Sequence, residues 1–226
     1  MTDHDGTPLI QLRGIGLEVH SPAPTRILHP LDLDITRGGS VTIMGPSGAG
    51  KTTLASIIGL LQPPSEGTYR FDGSVATGTS LRKAAALRAE HFGFVFQHSH
   101  LIEERSAAAN VELGLTDVSL SRGERAERGH EALAWVGLGS IAQRRAGDLS
   151  GGERHRVAIA RALVKSPSVV IADEPTAALD QATGQVILEL LAGATGRGAT
   201  VILVTHDHRA GEMADRVVTI TDGRLL

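Results

Sequence analysis

The nine residues Gly45-Pro46-Ser47-Gly48-Ala49-Gly50-Lys51-Thr52-Thr53 constrain the fold more than any other stretch of the chain. The apolar run Val41-Thr42-Ile43-Met44 precedes them, and Leu54, Ile57, Ile58 and Leu61 follow at the i, i+3, i+4, i+7 spacing of an amphipathic helix. The order is strand, glycine-rich loop, helix. Glycines let such a loop wrap an anion with its N–H groups pointing inward, backed by the positive end of the helix dipole. In the pattern G-x-x-x-x-G-K-[ST], Lys51 reaches the β- and γ-phosphates of a nucleoside triphosphate and the Thr52 hydroxyl holds Mg2+. Glycine is common here, at 27 of 226 residues, so a plain Gly-rich turn is the competing reading, and the flanking strand and helix favour the phosphate loop.

Loose alternation from Leu9 to Val19 and strict alternation over Leu31-Asp32-Leu33-Asp34-Ile35 predict half-exposed antiparallel strands, with Pro22, Pro24 and Pro30 breaking the segment between them. Gln62-Pro63-Pro64 stops the first helix, because proline lacks an N–H and the residue before it avoids the α region. Tyr69-Arg70-Phe71-Asp72-Gly73 reads as a short edge strand, Leu81 to Glu90 as a helix and Phe92 to Phe96 as a buried strand. From His98 to about Val164 helical signals take over, through Glu124 to Val136 and Glu153 to Val164. An α/β rhythm then resumes, with strands at Val169 to Ala172, Thr200 to Thr205 and Val217 to Ile220, and helices at Ala182 to Ala192 and Arg209 to Arg216. Continuous β-branched runs alternating with helices indicate a parallel sheet buried on both faces. The expected fold is α/β and a single domain over 1–226: a P-loop core with a parallel sheet (about 1–97 and 166–226), a small N-terminal antiparallel β subdomain and an inserted α-helical subdomain (about 98–165).

Composition removes several function classes. A formal charge of −3 and a pI near 6.4 argue against a broad basic surface for nucleic acid, so no nucleic-acid partner is expected. Zero cysteines exclude disulfides, thiolate zinc sites and a cysteine nucleophile. Residues 1 to 8 do not have the make-up of a secretory signal, and apolar runs such as Val169 to Ala172 and Val201 to Val204 fall far short of the about 18 residues a membrane span needs, so a soluble or peripheral protein is expected. His98-Ser99-His100 and His206-Asp207-His208 lack further ligands at a suitable spacing and read as solvated loops rather than zinc sites.

Val169-Val170-Ile171-Ala172-Asp173-Glu174-Pro175 puts two acids at the end of a buried strand. Ligands gather at the carboxyl ends of parallel strands, where the phosphate loop also sits. Asp173 is there to hold Mg2+, mostly through water, and Glu174 to orient or deprotonate an attacking water; without the phosphate loop the pair would read equally well as a strand cap. Leu149-Ser150-Gly151-Gly152-Glu153 opens the helix that carries Val157, Ala160 and Val164 on one face. It is a second glycine-bearing helix N-terminus, suited to phosphate or to ordinary capping, and these residues alone leave both open.

Gly45 to Thr53, Gln97 after a Phe-Val-Phe strand, Leu149 to Glu153, Val169 to Pro175, Ala178-Leu179-Asp180 and Thr205-His206-Asp207 stand in the order and approximate spacing of ATP-binding-cassette ATPases. The chain resembles that family over essentially its whole length. Ile58 to Tyr69, His91 to Gln97 and Ala108 to Glu112 look most like its lipoprotein-release and macrolide-efflux type, with cell-division ATPases as relatives. The resemblance implies a P-loop NTPase core, ATP and Mg2+ as cofactors, and two copies paired head to tail around two ATP molecules. Each site would combine Gly45, Pro46, Ser47, Gly48, Ala49, Gly50, Lys51, Thr52, Thr53, Gln97, Asp173, Glu174 and His206 of one copy with Ser150, Gly151, Gly152 and Glu153 of the other. Lys51, Gln97, Glu174 and His206 would be catalytic, and Thr52, Gln97 and Asp173 would hold the metal. Asp180 would bridge the copies, or simply cap the next helix. Residues 98–112 would dock on a separately encoded membrane-spanning subunit, making the chain a peripheral motor on the cytoplasmic face of the cell membrane. The alternative within the family is an ATPase regulator of a transmembrane signalling complex, of the cell-division type, that does not transport.

Three features depart from the family pattern. An aromatic residue that stacks on adenine is usual after the first strand, but Val19 and His20 stand there; His20 could stack, or be an exposed loop histidine. Glu153 replaces the commoner glutamine and is expected to add charge near the partner's nucleotide. Arg144-Arg145-Ala146-Gly147-Asp148 lacks a frequent proline, which is expected to alter contact with the membrane subunit.

Overall fold

The structure, a computed structural model, describes residues 8–20 and 23–226. Pro22 and the first seven residues, on which expectations about a chain break and a leader rest, lie outside them. Two long strands come first, Pro8–Val19 (β1) and Thr25–Thr36 (β2), followed by Ser40–Met44 (β3), the glycine loop and helix Lys51–Ile58 (α1). Glu66–Phe71 (β4) and Ser74–Val75 (β5) form a hairpin, and Leu81–His91 (α2) leads into Phe92–Val95 (β6). Ala107–Glu112 (α3), Arg122–Trp135 (α4) and Gly151–Leu163 (α5) make up the helical stretch. Val169–Asp173 (β7), Gln181–Gly193 (α6), Thr200–Val204 (β8), His208–Glu212 (α7), Arg216–Thr221 (β9) and Arg224–Leu225 (β10) complete the chain.

The strands form two sheets, one ordered β2-β1-β4-β5 and antiparallel, the other ordered β10-β9-β3-β8-β7-β6 and parallel except for the β9–β10 hairpin. The middle strands show why no alternation is visible in their sequence. Val169 and Ile171 of β7 and Ile202 and Val204 of β8 pack with α1 and the antiparallel sheet; Val170, Ala172, Val201 and Leu203, one residue out of step, pack with α5 and α6. Both faces of the sheet are therefore apolar, and each large side chain so buried contributes about 1.5–3 kcal/mol before entropy is charged. Tyr69, 1% exposed, donates its hydroxyl to the Ile58 carbonyl at 2.7 Å and so ties β4 to the end of α1; burial holds its phenol far above the ordinary value.

Four expectations are corrected. Pro30 does not break the chain: it lies inside β2, where the pairing slips from Leu28↔Leu17 to Leu31↔Ile15, and a bulge in an edge strand has no need of the missing N–H. The strand at Tyr69 is not at an edge, since it pairs with β1 on one side and the two-residue β5 on the other. β1 does not alternate between buried and exposed: a single residue of it, Arg13, is exposed, with Leu9 and Ile10 both at 1% exposure or less, because it shares one apolar cluster with the main sheet and α1. The last helix stops at Glu212 rather than Arg216. Asp215 there accepts from both the Ser40 N–H and the Ser40 hydroxyl, at 2.7 and 2.8 Å, and Arg216 pairs with Val41 as the first residue of β9.

Candidate functional site

Register puts the carboxyl ends of three strands level. Ile43 of β3 pairs with Val204 of β8, and Asp173 of β7 pairs with the same residue, so the loop after Met44, the acids after Ala172 and Thr205 leave the sheet together. The glycine loop is shaped by sterics. Gly45 has φ +151°, and a Cβ on it would come within 2.0 Å of the Ile220 carbonyl oxygen; Gly50, the N-cap of α1, has φ +100° with Leu28 Cδ2 2.8 Å from where a Cβ would be. The loop closes through the Ala49 N–H on the Pro46 carbonyl (3.3 Å) and the Gly223 N–H on the Ala49 carbonyl (3.0 Å). At the first turn of α1 the N–H groups of Lys51, Thr52 and Thr53 have no helical carbonyl four residues back, and no acidic side chain stands in that turn. Lys51 is 7% exposed and donates its ammonium to the Gly45 and Pro46 carbonyls, both at 2.9 Å.

Ser47, Gly48, Gly50, Lys51, Thr52 and Thr53 share a cavity of about 760 Å3 with Gln97, Glu174 and His206. The Thr52 hydroxyl donates to Asp173 Oδ1 at 3.3 Å. Burial raises the Asp173 carboxyl above its ordinary value; the Thr52 hydrogen bond and Lys51 pull against this, and the Glu174 charge adds to it. Glu174 has a left-handed backbone, φ +46°, held by its N–H on the Val204 carbonyl at 2.7 Å. Its carboxylate accepts from the Thr205 hydroxyl at 3.1 Å, and His206 Nδ1 is 3.0 Å away. Asp173 and Glu174, though consecutive, therefore face different tasks: one reaches the Thr52 hydroxyl, the other an imidazole. The arrangement supplies amides and an ammonium for phosphate, oxygen donors for a hard cation and a carboxylate–imidazole pair for a water.

Other expected site residues lie elsewhere. Ser150 caps α5 in a closed capping box: its hydroxyl accepts from the Glu153 N–H (3.3 Å), and the Glu153 carboxylate accepts from the Ser150 N–H (2.7 Å). That backbone bond, chiefly, holds Glu153 below the ordinary carboxylate range. Glu153 keeps its charge, and its carboxylate is drawn onto its own helix terminus. Asp180 caps α6 through the Thr183 N–H (3.0 Å) and the Thr183 hydroxyl (2.6 Å). None of Ser150, Gly151, Gly152, Glu153 or Asp180 lines the cavity of their own chain. His20 does not line it either: its side chain is 73% exposed beside Glu18, and the apolar wall is Ile27 of β2. Ile27, Ala177 and His155 escaped the sequence reading, and Thr205 stood in it only as a motif neighbour of His206. Ile27 sits in a strand whose bulge hides which face it presents, and the others act through contacts with residues far off in the chain.

The order and geometry of these motifs match a known family. The family profile described as ABC transporter covers residues 28–177. The chain belongs to the ABC transporter family. It is an ATPase cassette domain. A macrolide export ATP-binding/permease protein of Paracoccus denitrificans is 46% identical over 98% of this cassette and 33% of its own length. The ABC transporter ATP-binding protein YknY of Bacillus subtilis is 42% identical over 88% of this cassette and 87% of its own length. The cassette thus spans about a third of the length of the macrolide-export relatives it matches. A solved dimeric ATP-binding cassette, in a post-hydrolysis state bound to ADP and Pi, superposes with a TM-score of 0.87 at 36% identity and 96% coverage of both chains. Among the described residues no helix is long and apolar enough to cross a membrane.

Proposed function

We propose that this single cassette domain, residues 1–226, is the ATP-driven motor of a transporter, and that its cavity is half of a site which a second copy completes. One observation carries the reading. Lys51, Thr52, Gln97, Glu174 and His206 line one cavity, while the capped N-terminus of α5, with Ser150 and Gly151 exposed, is a second phosphate-suited terminus lying outside it. A helix terminus from the partner would neutralise γ-phosphate charge that one glycine loop leaves uncovered, and would make hydrolysis depend on closure. The dimeric cassette structure similar to this chain agrees with such pairing.

In the closed pair, the Gly45 to Thr53 loop binds the phosphates and Lys51 leaves the Gly45 and Pro46 carbonyls for the β- and γ-phosphates. Thr52, Asp173 and Gln97 present oxygen donors that fit Mg2+, which when bound offsets charge on the phosphates. Glu174 accepts the proton of the attacking water, and His206, held by the Glu174 carboxylate, binds the γ-phosphate. Ser150, Gly151 and Gly152 of the partner close over it, and Asp180 bridges the two copies. The segment 98–112 with its exposed Ile102, next to Phe96, docks on a membrane-spanning permease at the cytoplasmic face. The mass of the native polypeptide shows whether that permease is a separate chain or a continuation of this one, as the joined name of the macrolide-export relatives describes.

The test is Glu174→Gln. With ATP and Mg2+ the variant binds nucleotide, doubles in mass on size exclusion with light scattering and turns over poorly. A variant that binds ATP and stays monomeric defeats the half-site reading; one with ordinary turnover defeats the role of Glu174.

A further inference from the structure

Helix α5 carries at its N-terminus the turn Ser150-Gly151-Gly152, whose first two residues are exposed, and along its length it grips the loop that follows β6. Arg161 donates to the Ser99 carbonyl at 2.7 Å and to the His100 carbonyl at 2.8 Å. His155, 5% exposed, is the third grip and differs in kind. Its Nε2 is 3.0 Å from the carbonyl of Gln97, the cavity residue, and its Nδ1 is 3.0 Å from the carbonyl of Gly151, one turn back in its own helix. Both neighbours are carbonyl oxygens, which only accept. A neutral imidazole carries one N–H, so the ring donates to one of the two carbonyls and packs against the other, between the segment that meets the chain's own nucleotide and the turn that it offers to another copy. Its neighbours in sequence are used differently: Arg154 bonds Glu103 and the Leu149 and Gly147 carbonyls, and Arg156 bonds the Val136 carbonyl. Gln97 and Gly151 are thus joined by one buried side chain.

We infer that His155 is a positioning residue: through it, occupancy of a chain's own cavity, felt at Gln97, sets the placement of the Ser150–Gly152 turn that completes the neighbouring site. The inference rests on the half-site reading above. A shift of the Gln97 carbonyl displaces the ring packed 3.0 Å from it, and the ring, itself part of α5 and 3.0 Å from the Gly151 carbonyl, carries the helix terminus with it. The two sites of a pair are then coupled through each subunit's interior as well as across the interface, and coupling of this kind shows as cooperativity in ATP.

Two substitutions separate the donors from the bulk of the ring. His155→Met is close in size and has no donor; His155→Gln restores N–H donors on an amide that can serve both carbonyls. In the wild type, turnover against ATP has a Hill coefficient of about 2 for two coupled sites. His155→Met lowers kcat by about 2- to 30-fold and brings the Hill coefficient toward about 1. In the Glu174→Gln background, ATP affinity stays within about two-fold, as expected for a site not in contact with the change. His155→Gln recovers both kcat and the Hill coefficient. Wild-type cooperativity and kcat in His155→Met overturn the inference, and so does a folded His155→Gln no better than His155→Met. If His155→Met does not fold, hydrogen exchange of the Glu174→Gln protein is read with and without ATP: residues 97–100 and 150–155 gain protection together, and protection of one segment alone overturns the inference. Failure of Glu174→Gln to dimerise overturns the half-site reading instead, and this inference with it.

Discussion

At the scale of single residues, the chemistry rests on neighbours that share a backbone but not an environment. Asp173 and Glu174 are adjacent, yet the first is buried against the Thr52 hydroxyl and the second faces Thr205 and His206. The raised carboxyl of Asp173 has a stability consequence. A group whose pKa is higher in the folded state stabilises the fold fully below its unfolded value, about 3.9 for aspartate, and that contribution is lost as pH rises through the folded value. At pH 7, above the unfolded value, that stabilisation is reduced or gone and the carboxyl counts against the ligand-free protein. Asp173→Asn is expected to melt higher than wild type at pH 7, with the gap closing toward pH 4 (about the unfolded value), in thermal scans without nucleotide. The same variant should need about 10- to 100-fold more Mg2+ for half-maximal turnover, the range for groups that hold a metal through its shell. Lys51, Asp173 and Glu174 were legible from sequence because their spacing from glycines or from a strand end is local. His155 was not, since a histidine inside a helix acquires its partner only when Gln97 is brought alongside, and Thr205, legible as a motif neighbour of His206, meets the Glu174 carboxylate only in the fold.

At the scale of elements, the phosphate loop depends on two glycines for different reasons, one a clash and one a left-handed cap. Gly45→Ala would place its methyl against the Ile220 carbonyl, and the strained φ alone costs about 1–3 kcal/mol. A lower urea midpoint is expected, equivalent through the m-value to a stability loss of at least that size, together with loss of nucleotide binding. Helix termini are used in two ways. The N-terminus of α1 has no capping side chain and no acid in its first turn, which leaves its N–H groups to a ligand; that of α5 is closed by Ser150 and Glu153. Most elements were visible in the sequence as periodic or β-branched runs. The exceptions were strand β2, whose Pro30 looked like a break, and helix α7, where Asp215 is drawn off to cap Ser40.

At the scale of the molecule, one sheet separates two apolar clusters, and the cavity beside the glycine loop lies at the carboxyl ends of the inner strands β3, β8 and β7. Ligand binding there stabilises the whole fold by mass action, about 2.7 kcal/mol at a hundred-fold excess over Kd. Wild-type protein is expected to show that rise in melting temperature with ATP, and Lys51→Ala to lose most of it while melting normally without nucleotide. An undiminished ATP shift in Lys51→Ala would remove the lysine from phosphate binding.

Sequence alone determined the phosphate loop, the two acids, the alternation of strand and helix and the family likeness, because each is written in residues close together along the chain. Tertiary structure decided which parts share a cavity. It set Gln97, His206 and Ile27 beside the loop, left His20 exposed next to Glu18, turned Glu153 back on its own helix and left Ser150 and Gly151 exposed. Those outcomes follow from strand register and helix packing, which bring together residues up to 179 positions apart, as with Ile27 and His206. No local pattern records them.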